Sequence, residues 1–421
     1  MRKGLTRRHF LGVGVGAVAG AGALAWIYRP RKMAAPLGDL VADPAGILDL
    51  PPGFAYQLLQ RAGDPMTDGF NTPAAPDGMA CFSGNDDSWV VMRNHEIHEG
   101  SPVDAALGYS ATCGGGVTRL VVDRASGALR SSNFVLTGTS RNCAGGPSPY
   151  GWLSCEEAGD PGHGYVFLCD ASASQLQAPH RLPALGRFPH EAAAFDARTG
   201  ITYLTEDTSN SAIYRHVPNH TTEPFVGGEL QALKVSKKVR FMLSEGRKVG
   251  DTFNVEWVSV PDPQALKTST RDQAHNAGAA FFSRGEGAWL ADHHVYLCST
   301  DGGPARRGQL YRLDISPGGE DRLTLVAQAE SNDSFDKPDN VTVSPWGDVF
   351  LAEDGGAPNG VCILNPDGSL RYFAQNAKDG GDSEITGVCF SPDGKWLFLN
   401  LQWEGLTLAV TGPFSELLRN V

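Results

Sequence analysis

The chain has 421 residues, 41% of them hydrophobic and 19% charged, with 51 glycines, 27 prolines and a formal net charge of −12. This composition excludes a largely disordered chain, leaves core for one large domain or two, and favours many short strands over long helices. Setting aside the seven Lys and Arg of residues 1–34 leaves −19 on the remainder; that argues against nucleic acid or anionic lipid as partners, and would repel an anionic substrate unless bound cations reverse the local field.

The chain opens with "MRKGLTRRHFLGVGVGAVAGAGALAWIYRP", a basic head with Arg7 and Arg8 ahead of Phe10 and Leu11 and then a weakly apolar Gly/Ala run. The pattern predicts a twin-arginine export signal over residues 1–35, removed at the small-x-small site Ala23–Ala25. A retained anchor is the competing reading, because "RPRK" (29–32) follows the apolar run. "GVGVGA" follows no strand, so it is not a dinucleotide loop. The expected partner is the twin-arginine translocation machinery, the expected location periplasmic or extracellular, and no stable membrane span is expected after removal. That route carries folded, often cofactor-loaded proteins, so a bound metal comes into consideration.

Residues 36–421 read as a single domain, with an entry segment over about 36–75. From about residue 80 one pattern recurs: a polar turn, four to six β-favouring residues, another turn. "DDSWVVMRNHE", "ARTGITYLTED", "SPWGDVFLAEDG" and "SPDGKWLFLNLQ" are examples. Antiparallel units of roughly 40 to 60 residues predict an all-β fold, a β-propeller for which six blades fit best, with a metal site in the central channel. A large sandwich or a two-barrel protein is the competing architecture. The only helix expected is a short one near 414–420.

Several strands end in acids: "SCEE", "LTED", "LAED". Each alone reads as a solvated turn. In a propeller, however, equivalent strand ends converge on one axis, and Glu156, Glu191, Glu206, Glu353 and Glu384 all lie in comparable turn-and-strand contexts. Crowded carboxylates repel one another and raise one another's pKa unless multivalent cations neutralise them. Oxygen ligands point to hard ions such as calcium or magnesium, while Cys155, followed directly by Glu156 and Glu157, would suit a transition metal such as iron. Cys169, Cys298, Cys362 and Cys389 stand in apolar runs and read as small buried hydrophobes. There is no CxxC pair and no HExxH, and "NHEIHEG" has the wrong histidine spacing for a zincin. Arg284 precedes Glu286 by two, so in a strand both leave the same face; it would either grip an oxyanion or bridge carboxylates. His95, His190 and His275 read as orienting groups, Trp289, Trp346 and Trp396 as packing residues, and "KVSKKVR" (234–240) as a solvated loop or edge strand.

The motifs "VMRNHE", "NCAGGPSPYGWLSCEE", "GRFPHEAAAFD", "YLTED", "RGEGAW", "KPDNVTVSPWGDVFLAED" and "SEITGVCFSPDGKWLFLNLQ" together resemble those of PhoX-type alkaline phosphatases, over nearly the whole chain beyond the leader. The resemblance implies a six-bladed, twin-arginine-exported propeller, expected as a monomer, with an oxo-bridged cluster of Fe3+ and Ca2+. It implies Cys155 as thiolate ligand of the ferric ion, Glu286 as an iron-bound carboxylate, Asp339 and Glu206 as further metal carboxylates, and Glu156, Glu191 and Glu384 as calcium or bridging ligands. Asn94 and Arg284 are implied as phosphate contacts. The spacing within "PYGWLSCEE" is one residue shorter than the family's, and "RGEGAW" lacks the Pro commoner after the Arg.

The expected function is metal-dependent hydrolysis of phosphate monoesters or diesters, a phosphoric ester hydrolase acting on a small phosphorylated substrate without a nucleophilic serine. The rival readings are a calcium-dependent lactonase-type propeller hydrolase and a non-catalytic periplasmic propeller that scaffolds protein partners.

Overall fold

A computed structural model describes residues 37–85, 87–316, 318–330 and 335–417; the expected export signal lies outside the described residues. The chain is built from short antiparallel strands. Two of them, β1 (Leu48–Asp49) and β2 (Ala55–Arg61), precede a meander of β3 (Pro76–Ser83), β4 (Ser88–His95), β5 (Gly115–Asp123) and β6 (Leu129–Thr139). Then come β7 (Asn142–Ser148), β8 (Gly151–Glu156) and β9 (Val166–Cys169), followed by β10 (His190–Phe195), β11 (Thr202–Glu206), β12 (Tyr214–Val217), β13 (Glu229–Val235) and β14 (Thr252–Ser259). Helix α1 (Thr270–Asn276) leads to β15 (Gly285–Ala291), β16 (His294–Ser299), β17 (Gln309–Asp314) and β18 (Arg322–Gln328). The last strands are β19 (Pro338–Val343), β20 (Val349–Glu353), β21 (Gly360–Leu364), β22 (Leu370–Asn376), β23 (Ile385–Phe390), β24 (Trp396–Leu401) and β25 (Leu406–Thr411), before the single turn α2 (Phe414–Leu417).

Hairpins follow from turn chemistry. Asp123 and Asp196 each start a loop that a glycine closes four residues on, Gly127 and Gly200 donating N–H to their carbonyls at 2.9 and 2.8 Å. Both glycines have positive φ, 71° and 73°, a region unfavourable to residues with a Cβ.

The strands make five sheets, and in the largest β14 joins the β10–β13 meander to the β15–β18 meander by pairing with both β13 and β18. The first strand of each meander packs beside the first strand of the next: β3 on β7, β7 on β10, β10 on β15, β15 on β19, β19 on β23, and β23 back on β3. The ring closes because the N-terminal β2 pairs with β25, completing the last sheet from outside. Apolar clusters fill the wedges between neighbouring sheets. Val90, Val117, Trp152 and Phe167 form one wedge, and Cys298, Leu310, Val341 and Leu351 another. This propeller-like arrangement meets the all-β expectation, and a flat two-layer sandwich does not describe it.

α1 was not expected. It is a seven-residue helix whose N-cap Ser269 Oγ accepts the N–H of Asp272, a capping pattern visible in "STRD" but too short to show an apolar stripe. All eight cysteines are free. Cys169, Cys298, Cys362 and Cys389 lie in the apolar clusters, and Trp289, Trp346 and Trp396 pack against or within them.

Candidate metal centre

Each strand of the inner ring begins the same way: near its start the register breaks and two residues go unpaired. The shifts fall between Pro76 and Met79, Asn142 and Gly145, His190 and Ala193, Gly285 and Ala288, Pro338 and Val341, and Thr386 and Cys389. A bulge re-aims the side chain beside it. The residues that open these breaks are Asp77, Cys143, Glu191, Glu286 and Asp339, with Gly387 at the equivalent place in the sixth strand. Small residues follow because the inner strands touch: a Cβ on Gly78 would lie 2.6 Å from Cα of Ala144, and one on Gly287 2.6 Å from the carbonyl oxygen of Asp339. Beneath them only a cavity of about 20 Å³ remains, lined by Gly78, Ala144, Ala192, Trp289, Asn340 and Gly387 among others. The acids therefore stand on a nearly closed floor.

Three overlapping groups have their potential ligand atoms within 4.8 Å of one another: Asp77, Glu96 and Cys143; Cys143, Glu157 and Glu191; and Glu191, Glu286 and Asp339. Cys143 and Glu191 each belong to two groups. Gln402 Nε2 donates to Asp77 Oδ2 at 2.8 Å and to Glu96 Oε2 at 3.1 Å, and Asn340 Nδ2 donates to Asp339 Oδ2 at 2.6 Å. Both oxygens of Glu191 and Oδ1 of Asp77 are buried with no partner among the described residues. Burial, then mutual repulsion, pushes the carboxyls of Asp77, Glu191, Glu286 and Asp339 well above the usual range. The same causes raise Glu157 to about 8 and Glu384 to about 11, and burial followed by the charges of Asp77 and Glu191 raises the Cys143 thiol. Buried carboxylates facing one another with empty lone pairs are costly alone and suited to bound cations. The donor set, many oxygens and one sulfur, fits hard cations together with a thiophilic transition metal.

Arg284 stands at the rim, its side chain 38% exposed. Its guanidinium donates from Nε and NH2 to the two oxygens of Asp207 at 2.8 and 2.6 Å, and NH2 lies 3.2 Å from Glu286 Oε1. Arg284 lies just ahead of β15 with a left-handed φ of 44°, so the two side chains meet at the centre's edge without sharing the strand face expected of them.

Of the residues anticipated from sequence, Glu191, Glu286 and Asp339 come together in one group, and Glu384 lies in the field of Asp339 and Asp77. Four others do not join them. Cys155 packs in an apolar cluster with Leu153, Val166 and Leu204, so the thiol among the carboxylates is Cys143 instead. Glu156 is spent on structure: Oε1 accepts from Ser140 N and His163 Nδ1, and Oε2 from the N–H of Gly164 and Tyr165. Glu206 accepts from Arg271 NH1 at 2.7 Å and the Tyr214 hydroxyl at 2.9 Å. Asn94 is fully buried; its Nδ2 donates to the carbonyls of Cys143 and Ala144, and its Oδ1 accepts from Trp152 Nε1 and Ser154 Oγ. It holds the Cys143 strand in place and has no valence left for phosphate. The histidines are likewise structural: His95 bridges Ala74 O and Thr118 Oγ1, His190 meets Gly186 O, and His275 meets Asn210 O.

The residues missed were Asp77, Glu96, Cys143 and Glu157. The signal for Asp77 and Cys143 is a degenerate repeat, an acid or cysteine opening the pattern in "PDGMA", "NCAGG", "HEAAA", "GEGAW" and "PDNVT", with "ITGVC" as the variant that places Gly387 there, whereas Glu96 and Glu157 follow the ends of second strands, in "RNHE" and "SCEE".

A family model described as alkaline phosphatase PhoX matches residues 35–133 and 128–405. The structure is similar to that of Pseudomonas fluorescens PhoX in complex with vanadate, a transition state analogue, with a TM-score of 0.69 and 18% identity over 92% of this chain and 99% of that one. A gluconolactonase from Xanthomonas campestris aligns over 92% of this chain and 99% of its own, with a TM-score of 0.45 and 13% identity. No curated protein sequence matches the chain.

Proposed function

The chain belongs to the alkaline phosphatase PhoX family, and we propose that it is an exported phosphatase hydrolysing phosphate monoesters or diesters at a cluster of Fe3+ and Ca2+ in the hub of a six-bladed propeller. The carrying observation is the set of buried, partnerless carboxylate oxygens of Glu191 and Asp77, gathered with a thiol on a closed floor beneath a half-exposed arginine. A solubility role for the acids does not account for their burial, and a non-catalytic scaffold has no use for the arrangement. A calcium-only lactonase-type site has none for Cys143. The six-blade reading counts the β10–β13 and β15–β18 meanders as separate blades joined by β14.

In this reading Cys143 holds iron, Asp77, Glu96, Glu157, Glu191, Glu286 and Asp339 share the remaining coordination, and Glu384 adds charge at the edge. When bound, the metals supply Lewis-acid neutralisation of the phosphoryl oxygens. The chain's own contribution is positioning. Asp207 grips the Arg284 guanidinium bidentately, fixing its plane, so Arg284 presents its remaining N–H groups to the equatorial phosphoryl oxygens as their charge develops. Asn94 fixes the backbone of Cys143 and Ala144 through its two N–H bonds, and the packed floor of small residues leaves only a cavity of about 20 Å³ below.

Export through the twin-arginine machinery to the periplasm or beyond rests on Arg7 and Arg8 of the leader. Among the described residues no helix is long and apolar enough to cross a membrane. The test is to produce the exported form with iron and calcium and assay a chromogenic phosphomonoester at alkaline pH. Turnover that tracks metal loading is expected; metal-replete protein that cleaves neither mono- nor diesters overturns the reading.

A further inference from the structure

Cations recur at one position of the inner ring. Arg141, Arg284 and Lys337 stand two residues ahead of Cys143, Glu286 and Asp339, in the tripeptides Arg-Asn-Cys, Arg-Gly-Glu and Lys-Pro-Asp. All three adopt left-handed backbone, with φ of 46°, 44° and 49°, a conformation that long side chains adopt only where the surroundings impose it. The same two hydrogen bonds impose it each time. Arg141 N–H donates to Ile97 O and its carbonyl accepts from Glu157; Arg284 pairs in this way with Thr208 and Thr300, and Lys337 with Arg307 and Asp354, all at 2.7–3.1 Å. The three side chains are therefore launched from equivalent points above the centre.

Their partners differ. Arg284 is tied to Asp207 and Glu286. Arg141 and Lys337 are exposed, and neither side chain has a hydrogen-bond or ion-pair partner among the described residues. Both still stand in the field of the mouth: Arg141 offsets part of the push that burial gives Glu96 and Glu157, and Lys337 does the same for Asp354. Once cations fill the centre, the acids are compensated and the charges of Arg141 and Lys337 become surplus, open to an anion. They also bracket Arg284. Lys337 precedes β19, which packs directly on the β15 strand that follows Arg284, whereas Arg141 precedes β7, beyond β10 on the other side.

Resting on the phosphatase reading, we propose that Arg141 and Lys337 form a selecting rim for a second negative group on the alcohol side of the substrate. The favoured substrates are then phosphomonoesters that carry a further phosphate or carboxylate, in preference to esters of neutral alcohols. A cation serving only to neutralise the acids would be paired as Arg284 is with Asp207; these two are left free.

The experiment uses the full metal-loaded chain and the variants Arg141→Gln, Lys337→Gln and the double variant, with fructose 1,6-bisphosphate and p-nitrophenyl phosphate compared by kcat/KM. Each single variant is expected to lower the bisphosphate-to-nitrophenyl ratio about two- to fivefold, mainly through KM, as loss of one exposed charge contact does. The double variant should lower it further, while Arg141→Lys and Lys337→Arg should keep most of it. Metal content measured on every variant separates recognition from collapse of the centre. Equal losses on both substrates, or an unchanged ratio, overturn the rim while leaving the phosphatase reading standing. Absence of turnover on both substrates by the metal-loaded parent overturns both.

Discussion

Two sets of buried acids at the strand ends of one ring behave oppositely. Glu156, Glu206 and Glu353 end the second strands of their meanders, and Glu191 and Asp77 open first strands; all are 2% exposed or less. Glu156 accepts four hydrogen bonds, and Glu353 accepts from Asp336 N, Gly360 N and the Tyr372 hydroxyl. Glu191 accepts none on either oxygen among the described residues. Burial alone therefore does not mark a functional carboxylate; the unfilled lone pairs do. A carboxylate surrounded by N–H groups is a fastening that holds a loop to a strand end, and one facing other carboxylates is suited to binding cations.

The contrast can be broken hardest at Glu191, which belongs to two of the three ligand groups. Glu191→Gln should cost more activity than the roughly 10–100-fold typical of losing a group that merely supports a ligand. The metal-free variant should also melt higher than the metal-free parent, because a repelling charge has gone. A thermal scan after chelation, read beside steady-state kinetics, checks both halves; lower stability of the metal-free variant would place Glu191 with the structural acids.

The two thiols give the next contrast. Cys143→Ser should lose the thiophilic metal and most activity, by metal analysis and assay. Cys155→Ser should keep metal and specific activity but lose about 1–3 kcal/mol of stability, because it buries a hydroxyl in an apolar cluster. Interchanged outcomes would return the ligand role to Cys155.

Glu156→Gln should act on stability alone. It weakens the bonds to His163 and the backbone of Ser140, Gly164 and Tyr165, for a loss of about 1.5–3 kcal/mol measured by denaturant unfolding. Metal content per folded molecule should stay as in the parent.

The smallest effect is on pH. Glu157 and Glu384 titrate near 8 and 11 in the metal-free fold instead of near 4.5, through burial and neighbouring acids. Their folded-state pKa values are raised, so the stability they contribute is complete below about pH 4.5 and is lost as pH rises through 8 and beyond. Chelated protein should therefore show a Tm that falls between pH 5 and 9, while metal-loaded protein shows a much flatter profile. Parallel profiles for the two forms would mean that no cation offsets these charges.

Much of this was legible beforehand. Alternating runs and turn signals expose the strands, and the acidic strand ends mark the functional face of the fold. What stayed hidden was a matter of single residues. In "SCEE" and "LTED" the first acid, Glu156 or Glu206, lies in the strand and is hydrogen-bonded, while the next, Glu157 or Asp207, reaches the centre or its arginine. Adjacent residues of a strand point to opposite sides, so an error of one position inverts the assignment. Cys155 shares the apolar side of β8 with Leu153, whereas Cys143 sits at a bulge that no local propensity announces. The hydrogen bonding of Asn94 was hidden for a related reason. Its motif is specific, but its partners, Cys143, Ala144, Trp152 and Ser154, lie some fifty to sixty residues away in sequence.

Elemental analysis of the exported protein purified without chelator, run beside Cys143→Ser, tests the central claim most directly. The account predicts iron and calcium each at one atom per chain or more in the parent, and iron absent from the variant. A parent chain that hydrolyses phosphate esters while carrying no polyvalent metal would contradict it.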